Sequence, residues 1–133
     1  MRIILVRHGA YTPADSDPDE GLSENGKEEV AALKAKLTAQ SIHPTKIFAS
    51  PKKRAQQTAS ILASGKDIET TDLLKGGENP QGIVDHIIGL DGTIMLVGHN
   101  PFMERLATIL GQSHLFHTAG CAILENGRLL ASY

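Results

Sequence analysis

The chain contains one cysteine, Cys121, no tryptophan, and only two tyrosines and three phenylalanines in 133 residues. A lone cysteine cannot form an internal disulfide, which excludes a disulfide-framed secreted scaffold. Aromatics at 4% leave little surface for stacking on bases. Charge of one sign is also missing: 13 Lys and Arg stand against 15 Asp and Glu, a net charge of −2. No global basic field draws nucleic acid or an anionic membrane. No apolar run approaches the ~18 residues of a membrane span. Ile3–Val6 is closed by Arg2 and Arg7, too short a run for a signal peptide. These absences lead to the expectation of a cytoplasmic protein without nucleic-acid or membrane partners. The composition that remains, 41% hydrophobic and 21% charged, is that of an ordinary globular chain. Residues 1–133 are read as a single domain.

Short apolar runs alternate with helix-period segments. Ile3–Val6, Ile47–Ala49 and Ile94–Val97 are branched or apolar throughout, the pattern of strands buried on both faces. Val30, Leu33 and Leu37 recur at helical spacing behind Ser23, a good N-cap. Ala55, Thr58, Ala59 and Leu62 mark a second helix ending near Gly65. Ile83, Val84, Ile87 and Ile88 mark a third, and Phe102, Leu106, Ile109 and Leu110 a fourth. A weak strand is placed at Ile68–Thr70. Cys121–Leu124 and Arg128–Ser132, joined across Asn126-Gly127, read as a hairpin. The alternation predicts an α/β fold: three α/β/α layers, a mainly parallel central sheet and a C-terminal antiparallel hairpin.

Three polar groups stand directly after strands. Arg7-His8-Gly9 follows the first, Ser50-Pro51-Lys52-Lys53-Arg54 the second, and Gly98-His99-Asn100-Pro101 the Ile94–Val97 strand. In a parallel sheet the C-terminal strand ends share one edge, where ligands bind. Two arginines and two histidines therefore converge. Taken singly, each has a bland reading as a solvated or hydrogen-bonded residue. Together they suit a phosphoryl group, since guanidinium forks bind phosphate oxygens and imidazole attacks phosphorus or exchanges a proton near neutral pH.

Arg7-His8-Gly9, Ser50-Pro-x-x-Arg54-Ala-x-Gln57-Thr58 and Gly98-His99-Asn100-Pro101 resemble, in order, the signature of the histidine phosphatase superfamily, the phosphoglycerate-mutase-like fold. Length, Leu22-Ser-x-x-Gly26 and Phe116-x-x-x-Gly120 resemble the small bacterial SixA-type phosphohistidine phosphatases within it. The resemblance implies a metal-independent phosphatase in which His8 is the nucleophile and is transiently phosphorylated. Arg7, Arg54 and His99 would then bind the phosphoryl oxygens with His8. It implies no cofactor and no metal. Its substrate would be a phosphorylated protein, such as a histidine phosphotransfer domain, or a small phosphorylated molecule. A small-molecule phosphomonoesterase and a non-catalytic phosphate-binding module are the alternatives.

Two departures from the family pattern bear on the substrate. Larger members carry a leaving-group acid in a Leu-x-Glu loop, and here Leu73-Leu74-Lys75 places lysine there. Asp72 and Glu78 are the neighbouring candidates for a general acid. An alkoxide needs a proton to leave, whereas imidazole leaves far more readily, which tilts the reading towards a P–N bond. Second, Glu20 stands where SixA-type enzymes carry an arginine, within the acidic run Asp15, Asp17, Asp19, Glu20. That run reads as a solvated loop able to repel anionic metabolites and attract basic partner surfaces. Its spacing fails the EF-hand at positions six and twelve, and Gly21–Glu28 fails the P-loop at its last position. His114, His117 and Cys121 lack further metal ligands at a defined spacing.

Overall fold

The computed structural model describes all 133 residues. Six strands form one sheet: β1 (Arg2–Arg7), β2 (Lys46–Ala49), β3 (Ile68–Thr70), β4 (Thr93–Gly98), β5 (Cys121–Glu125) and β6 (Arg128–Ser132). Their spatial order is β3-β2-β4-β1-β5-β6. The first four of these run parallel, and β5 and β6 are added antiparallel. Four helices connect them: α1 (Glu24–Ala39), α2 (Lys53–Ala63), α3 (Gln81–Ile87) and α4 (Phe102–Ile109). The expected α/β architecture with its terminal hairpin is therefore the observed one.

Strand periodicity sorts the core into two halves. Ile4, Val6, Ile47, Ala49, Met95, Val97, Cys121 and Ile123 meet Val30, Leu33 and Leu37 of α1 and Ala55, Ala59 and Leu62 of α2. Leu5, Phe48, Ile94, Leu96, Ala122 and Leu124 meet Ile83 and Ile87 of α3 and Phe102, Met103 and Leu106 of α4. Successive residues of one strand thus serve opposite faces, which requires apolar side chains at both positions and explains the unbroken apolar runs. Burying one such side chain contributes about 1.5–3 kcal/mol.

Helix ends follow local chemistry. The Ser23 side chain accepts from Gly26 N at 3.0 Å and starts α1. In the hairpin, Asn126 and Gly127 both take positive φ (50° and 79°), the primed turn that the Asn-Gly pair favours. Two residues expected on apolar helix faces are exposed, Ile109 at the end of α4 (44%) and Ile88. Ile88 does not extend α3; it is extended backbone past the helix end and is 72% exposed. The helix stops at Ile87, so the 3.6-residue spacing that would have turned Ile88 inward no longer applies.

The parallel register brings three strand ends to one edge. Arg7 lies beside Gly98, and Ala49 beside Val97. His8 N then donates to Gly98 O and Ser50 N to Val97 O, both at 3.0 Å, so the pairing continues one step past the strands. His8, Ser50 and His99 are placed by the sheet rather than by flexible loops.

Candidate active site

His8 is 3% and His99 5% exposed, and their ring centroids are 5.1 Å apart. His8 Nδ1 lies 2.7 Å from Gly9 O. A carbonyl only accepts, so Nδ1 carries the proton and Nε2 presents its lone pair. Arg54 Nε donates towards that same Nε2 at 3.4 Å. Burial, opposed by the Gly9 bond and reinforced by the charges of Arg54, Arg7 and Lys52, lowers the His8 pKa to about 4. Burial and then the charges of His8, Arg54 and Lys52 lower that of His99 to about 3. Both rings are neutral at pH 7.

Arg7 reaches the site from the last residue of β1. Its Nη1 donates to Phe116 O at 3.0 Å, while its buried Nε has no partner. The Phe116 peptide is itself fixed, because Asn100 Nδ2 donates to its oxygen at 2.8 Å and Glu104 Oε2 accepts from its nitrogen at 3.3 Å. Asn100 Nδ2 also donates to Glu104 Oε2 at 3.1 Å. His99 Nε2 lies 2.7 Å from Ser50 Oγ, and with the hydroxyl donating there the neutral ring bears its proton on Nδ1. That Nδ1 is buried without a partner, as is Asn100 Oδ1. These three orphaned side-chain atoms all belong to the strand-end cluster.

Arg54 comes from the first turn of α2 and is held on three sides. Its guanidinium carbon lies 4.5 Å from the centre of the Tyr11 ring, its Nε faces His8, and its Nη1 donates to Glu20 Oε2 at 3.0 Å. Thr58, one turn on, accepts from Gly9 N at 3.1 Å and donates to Arg54 O at 2.8 Å, tying the His8 loop to α2. Ser23 N and Oγ both donate to Ala10 O, and the glycine at 26 lets α1 pass the Ala10 backbone closely. A Cβ at Gly26 would collide with Ala10 O.

His8 thus contacts both Arg54 and His99, and the charge of Arg7 acts on it as well. The acid candidates are not joined to this group. Asp72 is exposed in a 3-10 turn, Asp72–Leu74, and Glu78 is exposed beside a cavity lined by Asn79, Pro80, Arg105 and Thr108. Neither side chain hydrogen-bonds to His8, Arg7, Arg54 or His99. No three His, Cys, Asp or Glu residues are grouped so as to hold a metal ion. His114 packs against Phe116, His117 bonds Thr118 O, and Cys121 is buried in β5 with its thiol pKa pushed up to about 12 by burial.

Sequence reading missed Tyr11, and it missed where the acidic run goes. Asp15 and Asp19 stay exposed, as a solvated loop requires, but Asp17 and Asp19 approach Lys53 Nζ at 3.6 and 4.0 Å and Glu20 bonds Arg54, so the loop also lies against the start of α2. The opposite charge of this run and of Lys52-Lys53-Arg54 was the available signal.

Two histidines and two arginines stand at or just after the C-terminal strand ends of a mainly parallel sheet, an arrangement of the histidine phosphatase type. Residues 3–76 match the family model of the histidine phosphatase superfamily (branch 1), and the chain belongs to that superfamily. It is similar to the mitochondrial serine/threonine-protein phosphatase Pgam5 of Drosophila persimilis, 39% identical over 70 residues. That match covers 52% of this chain and 24% of the relative. Pgam5 of Drosophila melanogaster is 38% identical over 68 residues, covering 50% and 24%. The chain therefore spans about a quarter of the length of these curated relatives. Among solved structures, the protein histidine phosphatase SixA complexed with tungstate superposes with a TM-score of 0.90 at 20% identity, over 99% of this chain and 96% of that one. The SixA-assigned protein of Agrobacterium tumefaciens gives 0.85 at 26% identity, over 99% and 97%. No helix is long and apolar enough to cross a membrane.

Proposed function

We propose that the protein is a metal-independent phosphatase that forms a covalent phosphohistidine intermediate on His8 and acts on phosphohistidine in a partner protein. One observation carries this reading: the His8 Nε2 lone pair is turned to Arg54, whose Nε donates to it only at 3.4 Å, while Arg7 Nε and His99 Nδ1 are buried with no partner. A buried polar group left unpaired costs about 1–3 kcal/mol, and a phosphoryl group supplies oxygens for both of these donors. The likeness to SixA and Pgam5 phosphatases supports the same chemistry.

In the first step the His8 Nε2 lone pair attacks phosphorus in line with the leaving group. The P–N bond to the substrate imidazole, a ring protonated on its other nitrogen, breaks, and the imidazole leaves neutral with the bond's electron pair. Arg7, Arg54 and the His99 Nδ1–H stabilise charge spread over the phosphoryl oxygens in the transition state. In the second step water attacks phosphorus, the Nε2–P bond breaks, and inorganic phosphate leaves with His8 restored. Two guanidinium groups and an imidazole donor supply the charge neutralisation that a metal supplies in other phosphoryl-transfer sites.

A P–N substrate is favoured by the placing of the carboxylates. Asp72 and Glu78 are exposed and unconnected to the cluster, and the Glu20 carboxylate is engaged as an acceptor by Arg54. An imidazole leaving group, whose conjugate acid has a pKa of about 6.5, tolerates the lack of a positioned acid far better than an alkoxide does. The test is phosphate release in EDTA from a phosphohistidine protein, set against a serine-type phosphate ester. Turnover of the phosphohistidine protein is expected. Turnover of the ester alone would favour the phosphomonoesterase, and loss of all activity in EDTA would overturn the metal-free mechanism.

A further inference from the structure

The segment from Asp15 to Gly21 is built to hold one carboxylate against Arg54. Asp17 Oδ1 accepts from Asp19 N and Asp17 Oδ2 from Gly21 N, both at 3.0 Å. Glu20 N donates to Asp17 O at 2.9 Å, and Leu22 N to Gln57 Oε1 of α2 at 2.6 Å. The loop is thereby closed on itself and tied to α2. Glu20 has φ of 50°, a left-handed conformation that costs a β-carbon residue on the order of 1 kcal/mol and that glycine adopts freely. The residue occupying it is nevertheless one whose side chain reaches Arg54. The pair is partly enclosed, with side chains 12% and 34% exposed.

Which part of the guanidinium Glu20 takes is decisive. Arginine Nε and Nη2 share one edge of the guanidinium fork, and Nη1 lies at the far end from Nε. Arg54 turns Nε towards His8 Nε2 and gives Nη1 to Glu20. Nη2, on the same edge as Nε, has no protein partner, so a phosphoryl group arriving at His8 meets Nη2 directly and takes over the long 3.4 Å bond from Nε. The carboxylate stands beside that group without displacing it. Around it, two carboxylates, Asp17 and Asp19, face the single Lys53 ammonium, and Glu20, paired with Arg54, is the member of this acidic rim nearest the phosphoryl position. Lys52 is the remaining cation whose charge is felt by both histidines.

We propose that Glu20 is a specificity-determining residue: a fixed anion at the rim of the phosphoryl site that favours phosphoryl groups in basic surroundings and disfavours those flanked by a second anion. The proposal rests on the phosphatase reading above and adds the class of substrate surface. A carboxylate or second phosphate carried next to the scissile group meets Glu20 at close range. A lysine or arginine on the partner protein meets an attractive partner there. The discrimination is of like-charge against opposite-charge contact in a partly exposed site, about tenfold at low ionic strength.

The test uses the full chain and its Glu20→Gln and Glu20→Arg variants with three probes at low and high salt. Two are phosphohistidine peptides, one flanked by lysines and one by glutamates; the third is p-nitrophenyl phosphate. The wild-type protein is expected to prefer the lysine-flanked peptide in kcat/KM by about tenfold, and raised salt should shrink that preference. Glu20→Gln should remove most of it, and Glu20→Arg should reverse it. A merely structural role for Glu20 would lower all three rates together and leave the ratio in place. A ratio that is the same in all three proteins while each turns over the peptides would overturn the role of Glu20 alone. Failure of the wild-type protein to turn over any probe, p-nitrophenyl phosphate included, would overturn the phosphatase reading and this proposal with it.

Discussion

Arg7 and Arg54 approach His8 from two sides and are held by opposite means. Arg7 ends a central strand and is fixed by a neutral backbone carbonyl, Phe116 O, which is in turn gripped by Asn100 and Glu104. Arg54 begins a helix and is fixed by a carboxylate on one side and an aromatic face on the other. The β1 side of the pocket therefore supplies an arginine with no direct anionic partner, anchored by the sheet. The α2 side supplies one moderated by Glu20 and shaped by a loop. Strand-end placement delivers charge with little freedom to vary it, whereas a helix start facing a loop allows the loop to set selectivity.

The largest effect should come from the uncompensated side. Arg7→Lys keeps the charge but loses the fork, and steady-state kinetics on a phosphohistidine substrate should show kcat/KM falling about 10²–10³-fold. A fall no greater than that of Arg54→Lys would remove the contrast between the two sides.

Acid should expose the neutral histidines between the arginines. Both rings have folded pKa values below the ordinary 6.5, about 4 for His8 and about 3 for His99. Their unfolded forms take up protons first as pH drops, so the stabilisation is complete above about 6.5 and lost towards 4. At about 1.4 kcal/mol per pKa unit, His8 alone accounts for a loss of roughly 3 kcal/mol. Denaturant melts across that range should show declining stability, with imidazole titrations by NMR well below 6.5. Arg54 outweighs Arg7 among the charges acting on His8, so Arg54→Gln should raise the His8 titration more than Arg7→Gln does.

Smaller effects separate the supports. Glu104→Ala frees the Phe116 peptide, and kcat/KM should fall about tenfold through Arg7, with the lysine-to-glutamate peptide preference retained; losing that preference would show the two sides to be coupled. Tyr11→Leu removes a partly exposed cation–π contact of about 0.5–1 kcal/mol on Arg54. A two- to fivefold rise in KM is expected, and an unchanged KM would assign Tyr11 no part in holding Arg54.

The sheet and its four attachment points were legible because branched runs and helical spacing are local signals. Ile3–Val6 and Ile94–Val97 must be strands buried on two faces, and the polar residues after them must then share an edge. Ile88 was misread because periodicity does not say at which residue a helix stops. Glu20 was legible as a residue bearing on substrate choice, but neither its bond to Arg54 nor the part of Tyr11 was, since each acts on Arg54 from a loop whose path depends on a left-handed residue and on bonds to distant Gln57 and Lys53. The acid candidates Asp72 and Glu78 were only neighbours of the motif position held by Lys75, and neither is bonded to the cluster. Spacing finds residues that the sheet aligns; it does not find those that a loop folds back onto it.

His8 is the proposed carrier of the phosphoryl group. Rapid alkaline quenching during turnover of a phosphohistidine protein, followed by peptide mass analysis, tests it most directly. The expected result is an acid-labile phosphate on the peptide containing His8, formed and lost at rates matching turnover and absent in His8→Ala. Phosphate release with no adduct on His8, or undiminished turnover by His8→Ala, would contradict it.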